Sequence, residues 1–247
     1  MKTHAVTDIG LVRQENQDAC TVLSFPEYDG ALAVVCDGMG GAAGGSIASR
    51  LAIEHFTALM TELLQNHTGD FDDISVQKMF GDAVYRANRE VFDRAVITPE
   101  LKGMGTTLTA ALLMRRTLYL ANIGDSRAYL LRSAGLARLT HDDSYVQSMI
   151  DEGRMTEEEA EHSLHRNLLT RALGTKPYTD FSFGSFLLEA GDRLLLCSDG
   201  LTVCCRDREI APLLTTVKDT KEAAEAMIAA ARSAGGPDNI TAVIIDI

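Results

Sequence analysis

Every strongly apolar run in this chain is short. Ala31–Cys36, Thr106–Met114, Thr117–Ala121, Ala128–Leu131, Arg193–Cys197 and Ile240–Ile245 are four to nine residues long, flanked by Gly, Asp or Asn. Runs of this kind read as buried strands. Thr106–Met114 and Thr117–Ala121 form a hairpin about Arg115–Arg116. Helical periodicity fills the intervals. Ser46–Leu64 places Ile47, Leu51, Ile53, Phe56, Leu59, Leu63 and Leu64 near a 3.6-residue period, and Val76–Ala95 repeats the pattern. Thr220–Ala234 is Ala-rich and amphipathic, and Thr156-Glu157-Glu158-Glu159 matches a capping box that opens a short helix. Strands, two helices, more strands, a helical insert, strands, a helix and a last strand make an α+β chain rather than a βαβ alternation.

Composition narrows the classes further. The chain has 247 residues, 46% hydrophobic and 23% charged, which excludes extended disorder. No Pro- or Ser-rich linker divides it, so one domain over 1–247 is expected. Lys plus Arg number 23 against 35 Asp plus Glu, a net charge of −12. Without a dense basic cluster, nucleic acid is not an expected partner. The longest apolar runs, such as Ala31–Cys36, have about six residues, and a membrane span needs about 20. The first eight residues carry no apolar segment of the secretory type. Five cysteines without CxxC spacing read as reduced thiols. Together these predict a cytoplasmic, membrane-free protein, with a monomer as the simplest state.

The acids have a positional pattern. Asp37 follows the run ending at Cys36, Asp125 follows Leu118–Gly124, Asp199 follows Leu194–Ser198, and Asp238 precedes the last run. Asp-Gly is a common turn dipeptide, and each acid alone fits that reading. Clustered, the same carboxylates would repel one another and raise each other's pKa values. A divalent cation relieves that conflict, and donors without His or Cys favour Mg²⁺ or Mn²⁺ over zinc.

The stretch Gly38-Met39-Gly40-Gly41-Ala42-Ala43-Gly44-Gly45 also has two readings. Gly38-x-Gly40-x-x-Ala43 fits a relaxed dinucleotide fingerprint, but Asp37 would face the incoming pyrophosphate. The better account has these glycines let the backbone approach a metal, with Gly38 offering its carbonyl. Upstream, Arg13 has the fork that holds a phosphate. Arg13 and Asp18, each alone, also fit ordinary surface charges.

Six motifs now stand in order: Asp8-x-Gly10-x-x-Arg13-x-x-Asn16-Gln17-Asp18, Asp37-Gly38-Met39-Gly40-Gly41, Met104-Gly105-Thr106-Thr107, Gly124-Asp125-Ser126-Arg127, Ser198-Asp199-Gly200-Leu201 and Asp238-Asn239-Ile240-Thr241. From about Thr7 to Ile245 the chain resembles the metal-dependent serine/threonine protein phosphatases of the PPM (PP2C) family, of the small bacterial type. The resemblance implies a four-layer α/β/β/α sandwich of two antiparallel sheets flanked by helices. It implies that Asp37 bridges two metals, that the Gly38 carbonyl ligates the second, and that Asp199 and Asp238 complete the first. Asp125 with Asp199 would hold a weaker third ion. Asp18 would lie near the metals, directly or through water, and Arg13 would bind the substrate phosphate. A hydroxide bridging the two Mn²⁺ or Mg²⁺ ions would then attack phosphoserine or phosphothreonine in proteins. The implied partners are phosphorylated proteins, Ser/Thr kinases and their substrates among them. Two narrower readings share the fold: a phosphatase dedicated to one regulatory phosphoprotein, and a catalytically silent metal-binding module.

Three positions depart from the family pattern. Gln17 stands where many members have Glu, Met39 where animal members have His, and Cys204-Cys205 is unusual after Ser-Asp-Gly-Leu. Residues 141–174 resemble the family's flap beside the active site. There Arg166 and Arg171 either steer an acidic phosphopeptide or make structural ion pairs.

Overall fold

The computed structural model describes the backbone of all 247 residues and the side chains of all but Ala42 and Ala43. Alternation along the strands decides its layers. Strand β1 spans Lys2–Asp8, β2 Asp18–Phe25 and β3 Gly30–Met39. In β3, Leu32, Val34 and Cys36 face one way, and Ala33 and Val35 the other. Helices α1 (Gly41–Asn66) and α2 (Asp73–Ile97) follow and cover the first of these faces with Phe56, Met60, Phe80 and Val84.

The remaining strands extend this scheme. They are β4 (Gly105–Thr106), β5 (Leu108–Met114), β6 (Thr117–Ile123), β7 (Arg127–Arg132), β8 (Gly135–Arg138), β9 (Ser182–Leu187), β10 (Arg193–Cys197) and β11 (Ile240–Asp246). Short helices α3 (Tyr145–Asp151) and α4 (Glu157–Glu161) lie between β8 and β9. Helices α5 (Asp199–Thr202), α6 (Asp207–Thr216) and α7 (Thr220–Ser233) separate β10 from β11.

Two antiparallel sheets result. One runs β1-β11-β10-β7-β8, the other β2-β3-β5-β6-β9 with β4 paired to β3. Between them lies a thin apolar layer in which Ala33, Ala111 and Ala128 sit beside Val35, Leu194, Leu196 and Val243. The alternate residues Leu195, Cys197, Ala242 and Ile244 face outward, under α6 and α7. This is the expected α/β/β/α order, and every sheet pairing is antiparallel. No helix among the described residues is long and apolar enough to cross a membrane.

Several expected elements shift or divide. The strand expected over Thr106–Met114 is two strands, because Thr107 breaks from the ladder and turns its hydroxyl to the Asp37 amide. The first helix starts at Gly41 rather than Ser46, through the Gly-rich stretch. Capping boxes at Asp72 and Thr156 start α2 and α4. The hairpin at Arg115–Arg116 is a two-residue turn with Met114 opposite Thr117 and Arg115 at φ 54°.

Candidate metal centre

Because the sheets are antiparallel, many strand ends meet at one end of the sandwich. Asp18 opens β2 directly opposite Asp37, two residues before the end of β3. Asp125 lies in the β6–β7 turn, Asp199 follows β10 and Asp238 precedes β11. Both sheets therefore contribute acids to a single cleft of about 460 Å³, lined by Arg13, Asp37, Gly38, Asp125, Asp199 and Asp238 among others.

Backbone packing fixes Asp37. Its amide donates to Thr107 Oγ1 at 2.8 Å, and its carbonyl accepts from Thr106 Oγ1 and the Thr107 amide, both at 2.9 Å. Gly38 has no room for a side chain, since a Cβ there would lie 2.0 Å from the Gly45 carbonyl oxygen and 2.7 Å from that of Gln17. Gln17 ties the segment together. Its side-chain amide donates to the Gly41 carbonyl, and its carbonyl accepts from the Gly38 amide and Ser49 Oγ.

Asp18 lies beneath the cleft rather than on its wall. Its Oδ2 accepts from Ser198 Oγ and Thr241 Oγ1, each at 2.7 Å, while its buried Oδ1 has no partner. Burial pushes the Asp18 carboxyl up to about 7, with the two hydroxyls pulling it down and Asp199 and Asp238 adding repulsion. Asp37 and Asp125 are pushed well above the ordinary carboxylate range, first by desolvation and then by neighbouring acids. Asp199 is raised by burial and by Asp238, against Arg13 and Arg127, and its Oδ1 is also buried without a partner.

Asp238 is better satisfied. Its Oδ2 accepts from Arg13 Nη2 at 2.7 Å and its Oδ1 from the Asn239 amide at 2.8 Å. Asn239 in turn holds the segment before β2: it accepts from the Gln17 amide and donates to the Ile9 and Glu15 carbonyls. Asp125 is placed from outside its own turn. Asp143 accepts from the Gly124 amide and from Arg171, and its amide donates to the Gly124 carbonyl. Arg127 is held by Asp142 at 2.7 Å.

Asp37, Gly38, Asp125, Asp199, Asp238 and Arg13 thus share one cleft, with Asp18 directly behind. Of the two arginines noted in 141–174, Arg171 makes an ion pair with Asp143. Sequence reading missed the supporting hydroxyls Thr107, Ser198 and Thr241 and the clamp Asn239. All four stand inside or beside the motifs, but a small polar residue next to an acid gives no sign of which atom it will hold. Among the described residues, no three His, Cys, Asp or Glu side chains form a ready-made metal cage. The fit to a cation rests instead on two orphaned buried carboxylate oxygens in a knot of mutually repelling acids. An all-oxygen donor set suits a hard divalent ion.

A four-layer sandwich with an acid-lined cleft at one end defines the class, that of proteins able to hold hard divalent cations between two sheets. Residues 12–241 match the family model for protein phosphatase 2C. The chain is 41% identical over 245 residues to the serine/threonine protein phosphatase PstP of Mycobacterium tuberculosis, covering 98% of this chain and 44% of that protein. It is 32% identical to the serine/threonine phosphatase stp of Listeria monocytogenes, covering 97% and 93%. The crystal structure of the catalytic domain of PstP in complex with two manganese ions superposes with a TM-score of 0.84 at 38% identity, covering 99% of this chain and 97% of that one. The chain belongs to the protein phosphatase 2C family.

Proposed function

We propose that this chain removes phosphate from phosphoserine and phosphothreonine in proteins by metal-assisted hydrolysis. The observation carrying this reading is the meeting of acids from both sheets in one cleft, beside a single arginine and with orphaned carboxylate oxygens. Two manganese ions in the related mycobacterial catalytic domain support the same reading.

Asp37, the Gly38 carbonyl, Asp199 and Asp238 would hold two core ions, Mn²⁺ or Mg²⁺, and Asp125 with Asp199 a weaker third. Bound there, such ions neutralise the acids, acidify water for attack and stabilise charge on a phosphoryl group. Asp18 would reach an ion from behind, directly or through water, by its unpartnered Oδ1, while its Oδ2 fixes Ser198 and Thr241 at the base of the site. Arg13 is spanned to Asp238 through Nη2 alone. Its other N–H groups stay available to a phosphate oxygen, so Asp238 aims the guanidinium while leaving donors for substrate. Met39 lines the cleft and has no proton to give a leaving alkoxide. We also propose one domain over 1–247 with 141–174 as its flap, a cytoplasmic monomer, and Ser/Thr kinases and their substrates as the phosphoproteins served.

Hydrolysis of p-nitrophenyl phosphate and a phosphothreonine peptide, with Mn²⁺, with Mg²⁺ and with EDTA, tests the proposal. Turnover should require the metal, and Asp199→Asn should lower kcat at least about 100-fold. Equal turnover in EDTA, or an undiminished variant, would overturn it.

A further inference from the structure

Strand β9 ends its sheet, with β6 on one side and no strand on the other. Its register sets Leu187 opposite Thr117, and the next residue, Leu188, donates its amide to the Arg116 carbonyl at 2.8 Å. In an antiparallel ladder that phase repeats every second residue. The backbone groups of Ser182, Gly184 and Phe186 therefore turn to β6, and those of Phe183, Ser185 and Leu187 turn away from the sheet. Arg132 Nη2 takes the Leu187 carbonyl at 2.9 Å. The Leu187 amide and both backbone groups of Phe183 and Ser185 have no hydrogen-bond partner among the described residues.

An open edge is ordinarily blunted by charge, proline or a cover. Of the four strands that end the two sheets, β1 carries Lys2 and Asp8, β2 carries Asp18 and β8 carries Arg138. β9 reads Ser-Phe-Gly-Ser-Phe-Leu, without charge or proline, and none of its residues is buried. Leu187 is 69% exposed, and Ile74 in the first turn of α2 is 80% exposed.

The neighbours of the edge select what fits it. Phe183 turns toward the helices and meets Phe80. Ser185, on the same face, donates its hydroxyl to Asp73 Oδ2 at 2.7 Å, which holds the acidic start of α2 against the middle of the strand. Leu187 ends that face, which thus reads apolar, acidic, apolar. Arg132, the cation at its far end, is already paired with Asp192. A second copy of this chain would set Asp73 near Asp73 and a net charge of −12 against its equal, a poor match.

We propose that the β9 edge docks an extended segment of a partner protein as an added strand, with a Lys or Arg between two apolar residues on the face toward α2. Backbone hydrogen bonds to Phe183, Ser185 and Leu187 hold the segment, its apolar residues meet Phe183 and Leu187, and its base meets Asp73. The inference goes beyond the phosphatase reading and does not depend on it.

The probe is the capped peptide Ser-Val-Thr-Lys-Thr-Val-Ser, titrated at low salt and followed through the backbone amide NMR signals of the protein. Half-saturation at about 1 mM or below is expected, with hydrogen exchange slowed most at Phe183, Ser185 and Leu187. The same peptide with Glu for Lys should bind at least about threefold more weakly. Leu187→Pro removes an outward amide and leaves the β6 ladder intact, and should weaken the probe at least about threefold. Leu187→Lys keeps the backbone and should weaken it by repulsion, so the test stands even if the proline variant does not fold. No saturable binding, equal binding of the Glu peptide, or undiminished binding to Leu187→Lys would each overturn the proposal. So would a sedimenting dimer that Leu187→Lys dissolves, since the occupant would then be a second copy. None of these readouts uses turnover, so failure of the phosphatase reading would leave the result standing.

Discussion

Gly38 shows how closely the backbone is packed around the acids. Its Cα faces two carbonyl oxygens, those of Gly45 in α1 and Gln17 before β2, at distances a Cβ cannot share. Neither is the end of a flexible side chain, so relief requires parting the start of α1 from β3. Gly38→Ala should therefore cost about 1–3 kcal/mol in urea unfolding and lower Mn²⁺ affinity in calorimetry. Unchanged affinity with a lowered stability would separate the packing role of this glycine from any role of its carbonyl. The acids themselves were readable as a set, because each stands at the end of an apolar run. Asp18 was placed near the site only by resemblance to a family, since nothing in its immediate sequence marks it as the buried partner of Ser198 and Thr241. The engaged state of Arg171 was beyond sequence reading, because pairing depends on Asp143 arriving 28 residues upstream of Arg171.

At the scale of elements, uniform hydrophobicity was the reliable signal and mixed strands were not. β10 and β11 are buried on both faces and are legible as apolar runs. β1 and β2 are edge strands of half-buried mixed residues, and periodicity does not separate Lys2–Asp8 from a loop. α6 was hidden by Pro212 in its interior, which argues against a helix until tertiary packing outweighs it. The β9–β10 turn shows how a connection is fastened. Asp192 is buried and accepts from Arg132 of β7 at 2.6 and 2.9 Å and from the Glu189 amide at 2.8 Å. Burial alone would raise its carboxyl, but the Arg132 and Glu189 hydrogen bonds outweigh that and hold it below the ordinary range. A depressed carboxyl stabilises the fold above its unfolded pKa of about 3.9, and that stability is lost as pH falls through the folded value. Asp192→Asn should cost about 1–3 kcal/mol at pH 7, and the difference from wild type should shrink on acidification toward pH 3. A difference independent of pH would show that the turn is held by shape rather than by this ion pair.

At the scale of the whole molecule, charge and architecture pull against each other. Two sheets packed through an alanine-rich layer bring their strand ends close, and that is where the acids gather. Raised carboxyls there mean that the folded chain carries mutual repulsion that an unfolded chain escapes. A bound cation should thus stabilise the fold as a whole by mass action. After stripping with EDTA, 1 mM Mn²⁺ should raise Tm by several degrees, and Asp199→Asn should blunt the rise. An equal rise in that variant would place the stabilising ion elsewhere. The segment from 141 to 174 stands apart from this tension. It is anchored near its two ends, through Asp142 and Asp143 on one side and Thr170, Arg171 and Leu173 on the other. Between these anchors Leu164, His165 and Arg166 are exposed. The middle meets the outer helices through the exposed Glu161–Arg206 pair, so its other exposed residues can change without disturbing the layers beneath. Drift in sequence there leaves the acids, and the two sheets that carry them, where they are.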